Sequence, residues 1–173
     1  MKTLIIQTSP QHTASTFLIN ALYGLIPKIS NKKIIVEWTQ NFSTYFEDII
    51  VIKCHNTDID NLILKYKNNY KLYFICYERS EKKMFIDNKY KSYKNVIVFD
   101  YKELNRTNEN NIPKIIRNIY NKIQPILNIE LNIKSGINRI KLMNTRYKEI
   151  KHLPFTYIDN FFEIHGSHRK REQ

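Results

Sequence analysis

Glycine is scarce in this chain, at 3 of 173 residues. None falls in the first strand-to-loop stretch, so there is no G-x-x-x-x-G-K-[ST] run and a Walker A loop is excluded. Cysteine is equally sparse, at 2. Cys54 and Cys76 lack C-x-x-C spacing, which excludes a disulfide framework, a zinc ribbon and a thioredoxin-type motif; both read as reduced core residues of an intracellular protein. No apolar stretch is long enough to span a membrane. The N-terminal apolar run is too short for a signal peptide, so the expected location is cytoplasmic. Acidic side chains are outnumbered, 16 against 28 basic ones, for a formal charge of +12. That balance suits nucleic acid, an acidic membrane surface or an anionic small molecule. The lysines are spread along the whole chain, and only His168–Arg171 is a dense basic run. A solvated surface, or an AT-rich coding bias toward Asn, Lys, Ile and Tyr, describes the spread charge equally well.

What is present is the composition of a globular protein, 42% hydrophobic and 25% charged. The length suits one domain over 1–173. Short apolar runs predict strands at Leu4–Ile6, Ile34–Trp38, Ile49–Lys53, Leu72–Tyr77 and Val96–Phe99. Between them lie helical spacings. Phe17, Leu18, Ala21, Leu22 and Leu25 form one stripe. Ile59, Leu62, Ile63 and Tyr66 form another, with Thr57 as the expected N-cap and Asp58 and Asp60 in the first turn. The charged stretch 80–90 also reads as helical. From 111 onward the pattern is helical only. Pro113 suits a first turn, and Ile115, Ile116, Ile119, Tyr120 and Ile123 form a buried face up to Pro125. Ser135 is the expected cap of a last helix carrying Ile137, Ile140, Met143, Tyr147 and Ile150. Strands alternating with helices predict an α/β three-layer sandwich with a central, mostly parallel sheet of about five strands and a helical C-terminal part. The sheet core would occupy 1–105, the helices 111–150, and a basic tail 151–173.

Ligands of such sheets bind beyond the carboxyl ends of the strands. A parallel sheet would bring together residues 9–16, 53–56 and 78–80. The first stretch is Ser9–Pro10–Gln11–His12–Thr13–Ala14–Ser15–Thr16. A strand turning sharply into a helix aims backbone N–H groups and the positive end of the helix dipole at one spot, which suits a phosphate or sulfate. Thr13, Ser15 and Thr16 can add hydroxyl donors. Plain N-capping is the alternative use of the same residues.

At the end of the third strand, Lys53 and His55 share one face. A histidine there can take a proton from an attacking hydroxyl, and a lysine can balance charge on a leaving phosphate. Arg79 follows the fourth strand; its guanidinium suits a phosphate, or can simply pair with Glu81. Near the end, Phe161–Phe162 precede Gly166–Ser167–His168–Arg169–Lys170, where a glycine turn and cations can close over a phosphate. A frayed basic tail is the other reading. His165 and His168 are spaced H-x-x-H without a matching Cys, Asp or Glu, and no metal is expected.

The run S-P-Q-H-T-A-S-T-F-L resembles the 5′-phosphosulfate loop of sulfotransferases, commonly P-[KR]-[ST]-G-[ST]-T before an apolar helix. Thr13, Ser15 and Thr16 match. Ala14 stands where glycine is usual, His12 where the family carries Lys or Arg, and Gln11 where it carries proline. Lys53-Cys54-His55 is similar to the family's K-[TS]-H, Arg79 to the arginine that opens its 3′-phosphate site, and the glycine-containing basic end to its closing R-K-G segment. The resemblance covers roughly residues 1–100 and the end. It implies a P-loop NTPase-like fold and transfer of a sulfuryl group from 3′-phosphoadenosine 5′-phosphosulfate, without metal, to a hydroxyl of a small-molecule or glycan acceptor. In that scheme His55 is the base, Lys53 and His12 assist, and Gln11, His12, Thr13, Ala14, Ser15 and Thr16 hold the phosphosulfate. Arg79, Gly166, Ser167, His168, Arg169 and Lys170 grip the 3′-phosphate. A P-loop-like phosphotransferase and a non-catalytic nucleic-acid-binding domain are the other readings. The missing Walker lysine counts against the first, and the absence of a single basic stripe against the second.

Overall fold

The computed structural model describes residues 2–10, 14–27, 36–38, 48–55, 58–83, 85–104, 109–127, 129–154 and 156–164, with the backbone alone at 36–38 and 82. In chain order the elements are β1 (Lys2–Thr8), α1 (Ser15–Leu25), β2 (Val36–Trp38), β3 (Ile49–Cys54), α2 (Ile59–Tyr66), β4 (Tyr70–Glu78), β5 (Val96–Asp100), α3 (Ile112–Leu127) and α4 (Ile133–Ile150). The sheet runs β2-β3-β1-β4-β5, and every pairing is parallel. The α/β class and the parallel sheet follow from the near-continuous apolar strands. All of β3 is buried, which happens only when both faces are covered.

Alternate residues serve the two faces. Ile5, Val51, Tyr73, Ile75 and Ile97 pack with α1, α3 and α4. Leu4, Ile6, Ile50, Ile52, Phe74 and Cys76 pack with α2 and with Ile86 and Tyr90. Cys54 and Cys76 are both buried thiols outside any disulfide, as their place in apolar strands predicts. β1 lies centrally and hands the chain to α1 on the first face, while its neighbour β3 hands it to α2 on the other. Such a reversal opens a crevice beyond the carboxyl ends of the strands.

The helix α1 crosses α4 at glycine. A Cβ on Gly24 would sit 2.6 Å from the Arg139 Cβ and 2.9 Å from the Gly136 Cα. A Cβ on Gly136 would meet the Leu25 side chain at 2.9 Å. The Asn132 N–H also donates to the Leu25 carbonyl at 2.7 Å, tying the start of α4 to the end of α1.

Local expectations need correction in places. Residues 80–90 do not form an α-helix. They make short 3-10 turns at Ser80–Lys82 and Asn88–Ser92. Ile86 and Tyr90 stand four apart and are both buried, the spacing of a helix face, yet the turns around them are 3-10. The Glu78 carboxylate also draws the segment back, accepting from the Ile86 N–H at 3.0 Å and from Lys91 Nζ. The cap of α2 is Asp58, which accepts from the Asn61 N–H at 3.1 Å; Thr57 lies outside the described residues. The cap of α4 is Asn132 rather than Ser135, and it is Ser135 that donates its N–H, at 2.9 Å. α3 continues past Pro125 to Leu127. Gln124 closes its end by donating to the Ile129 carbonyl and accepting from the Leu131 N–H.

Candidate functional site

The junction of β1 and α1 is built from polar residues that the sheet buries. Ser9, fully buried, follows β1, and its hydroxyl accepts from the Tyr77 N–H of β4 and from Gln7 Nε2, each at 2.9 Å. Ser9 thus ties β1 to β4 at the carboxyl edge. Ala14 precedes α1 with φ 61° and ψ 27°, a left-handed conformation that costs an L-residue about 1–2 kcal/mol. The N-cap position of α1 is Ala14, whose side chain has no group to cap the turn, and no acidic residue lies in the first turn. The positive end of that helix dipole therefore faces the edge without a carboxylate of its own turn.

Lys53 and His55 close β3 on the α1 side of the sheet. Lys53 is only 1% exposed, and its Nζ donates to Thr16 Oγ1 at 3.1 Å. Burial holds its pKa down to about 8, while the charge of Glu163 pulls it back up. A cation kept among packed apolar strands is costly to desolvate; this one is aimed at the first turn of α1, with Glu163 in electrostatic reach. His55 is half-buried, and its Nδ1 lies 2.9 Å from the Ser9 carbonyl oxygen. Burial lowers its pKa, the Ser9 bond opposes this, and the Lys53 charge adds to the lowering. Burial and the Lys53 charge both favour the neutral ring. A carbonyl only accepts, so Nδ1 carries the proton and Nε2 the lone pair.

A third contributor comes from the far end of the chain. Asp159 and Ile164 pair antiparallel, with both N–H···O bonds made, at 2.8 and 3.0 Å. Asn20 of α1 holds this turn: its Nδ2 donates to the Thr16 carbonyl at 2.9 Å and to the Phe162 carbonyl at 2.8 Å. Arg139 donates to Asn20 Oδ1 and to the Phe161 carbonyl, and stacks over Tyr23, Phe161 and Phe162. Arg146 donates to Asp159 at 2.7 Å and to the Tyr157 hydroxyl at 2.8 Å. The result seats Glu163, itself at φ 56°, within electrostatic reach of Lys53. Burial pushes the Glu163 pKa up, and Lys53 pulls it down.

Arg79 lies just past β4, at the same edge of the sheet. Its guanidinium pairs with Glu81 and stacks on Tyr101 at 4.2 Å. In this state it is engaged by protein, as the simpler reading of its sequence context allows.

Of the residues singled out from the sequence, Ala14, Ser15, Thr16, Lys53, His55 and Arg79 gather at one edge. Gln11, His12, Thr13, Gly166, Ser167, His168, Arg169 and Lys170 lie outside the described residues. Gln7, Asn20 and Glu163 were not singled out, and Ser9 had no role beyond the loop. Gln7 and Asn20 left a signal in the sequence: an amide inside an apolar strand run and one on an apolar helical stripe. Among the described residues no three or more of His, Cys, Asp and Glu cluster so as to hold a metal, and no helix is long and apolar enough to cross a membrane. No protein-family model, curated protein or solved structure matches the chain.

Proposed function

We propose that the chain is a compact sulfotransferase with a P-loop-like nucleotide site, moving a sulfuryl group from 3′-phosphoadenosine 5′-phosphosulfate to a hydroxyl of a sugar or small alcohol. The observation that carries the reading is the Lys53 Nζ–Thr16 Oγ1 bond, which aims a buried cation at the start of α1, where the N-cap residue is Ala14. Those residues fit the phosphosulfate: the turn supplies dipole and hydroxyl, and Lys53 supplies charge where a leaving phosphate would collect it. The donor brings an activated sulfuryl group; the chain brings position and charge.

In this reading Ala14, Ser15 and Thr16, with Gln11, His12 and Thr13, hold the phosphosulfate. His55, neutral and with its lone pair on Nε2, takes the proton of the acceptor hydroxyl as the hydroxyl attacks. Lys53, with His12, stabilises the phosphate left behind. Arg79 leaves Glu81 to take the 3′-phosphate, and Gly166, Ser167, His168, Arg169 and Lys170 close over it. Cytoplasmic work on a small-molecule or glycan acceptor completes the proposal.

Calorimetry with 3′-phosphoadenosine 5′-phosphate beside ATP and ADP tests it. The 3′-phosphate compound is expected to bind at least tenfold more tightly, about 1.4 kcal/mol. Thr16→Ala should weaken that binding, while His55→Ala should leave it intact and lower turnover by about 10²-fold or more. Equal or tighter binding of ATP, strengthened by Mg²⁺, would replace this proposal with a phosphoryl-transfer one.

A further inference from the structure

We propose that Gln7 and Ser9 are positioning residues that set the tautomer and ring orientation of His55, an inference that rests on His55 being the base. The geometry is a short chain of buried bonds. Gln7 Nε2 donates to Ser9 Oγ at 2.9 Å, the Tyr77 N–H donates to the same oxygen at 2.9 Å, and the Ser9 carbonyl faces His55 Nδ1 at 2.9 Å. Two donors converging on one hydroxyl fix the side chain of Ser9 against both β1 and β4. With the side chain fixed, the Ser9 peptide and its carbonyl hold their direction. That direction decides which imidazole nitrogen keeps the proton, and so leaves the basic lone pair on Nε2.

Gln7 is an expensive way to fill its place. It is fully buried, opposite Lys53 in register, and its Oε1 has no hydrogen-bond partner among the described residues. A buried amide with an unsatisfied oxygen costs more than an apolar side chain of the same length. What the amide provides in exchange is the donor to Ser9. Gln7→Met should therefore fold at least as stably as the parent while releasing one of the two anchors of Ser9.

The test uses the full chain with ¹⁵N-labelled histidine, following the ring nitrogens of His55 by NMR beside steady-state kinetics. The parent is expected to show His55 protonated on Nδ1 alone. Ser9→Ala should raise the Nε2–H form about tenfold or more and lower kcat by about tenfold or more, with KM for the donor unchanged, because a base in the wrong tautomer forfeits much of the 10²–10⁴-fold that proton transfer contributes. Gln7→Met should shift both readouts in the same direction by less. If Ser9→Ala does not fold, having left the Tyr77 N–H without an acceptor, Gln7→Met decides alone. A parent already protonated on Nε2, or folded variants with the parent's tautomer, would overturn the proposal. If the parent transfers no sulfuryl group, the proposed reaction fails, and the tautomer measurement still decides this inference.

Discussion

Two strand-to-helix turns leave the same edge of this sheet, and they treat the start of their helices in opposite ways. At β3–α2, Asp58 accepts from the Asn61 N–H and Asp60 sits in the first turn, itself paired with Lys89 at 2.7 Å. That helix carries its own negative charge. At β1–α1 the corresponding place is held by Ala14 in a left-handed conformation, a residue with no capping group, and a buried lysine approaches the turn. One turn is electrostatically finished by its own sequence. The other is built at a cost, in backbone strain and in a desolvated cation.

The comparison is broken most strongly by giving α1 what α2 has. Ala14→Asp puts a carboxylate at the start of α1, on a residue type that tolerates the left-handed region. It should lower the affinity for 3′-phosphoadenosine 5′-phosphate about 100-fold or more by like-charge repulsion, without loss of thermal stability, in calorimetry and melting run side by side. Unchanged affinity would mean that the anion does not sit at α1.

Protons give a second, smaller handle. The Lys53 pKa falls from the ordinary 10.5 to about 8 in the fold, so between those values the unfolded chain binds more protons and stability rises with pH. The cost of burying the charge is fully present below pH 8 and is relieved as pH climbs toward 10.5. It amounts to about 3 kcal/mol at most. A phosphate bound beside Lys53 raises its pKa again, so binding near pH 8.5 should take up a proton, approaching one per site. Calorimetry in buffers of different ionisation enthalpy measures this, and zero uptake would separate Lys53 from the ligand.

The smallest effect comes from the other turn. Asp58→Ala should cost about 1 kcal/mol of stability in urea unfolding and leave anion affinity unchanged, because α2 uses its cap for itself. A loss of affinity here would mean that the two turns share one field.

Much of this fold could be read along the chain. Strands such as Ile49–Lys53 and Leu72–Tyr77 are apolar throughout because helices cover both faces, and their alternation with helical spacings leaves few arrangements open. That parallel order is also why Thr16, Lys53, His55 and Arg79 could be placed at one edge before any coordinates. Caps were harder. Thr57 and Ser135 were expected where Asp58 and Asn132 serve, since neighbouring residues of similar capping power are decided by where packing starts the helix. The charged stretch 80–90 reads as helical, whereas the Glu78 carboxylate organises it as turns. Glu163 and the role of Ser9 were not legible, for they rest on contacts between segments far apart in sequence, Phe162 to Asn20 and Ser9 to Tyr77, which no local pattern records.

The glycine crossing of α1 and α4 bears on how such a turn can work. With Gly24 against the backbone at Gly136 and the end of α1 bonded to the start of α4, the rod behind the turn has no room to roll or slide. A solute held at that turn would meet a mould already cast, so the entropy of alignment would be met during folding rather than at each encounter.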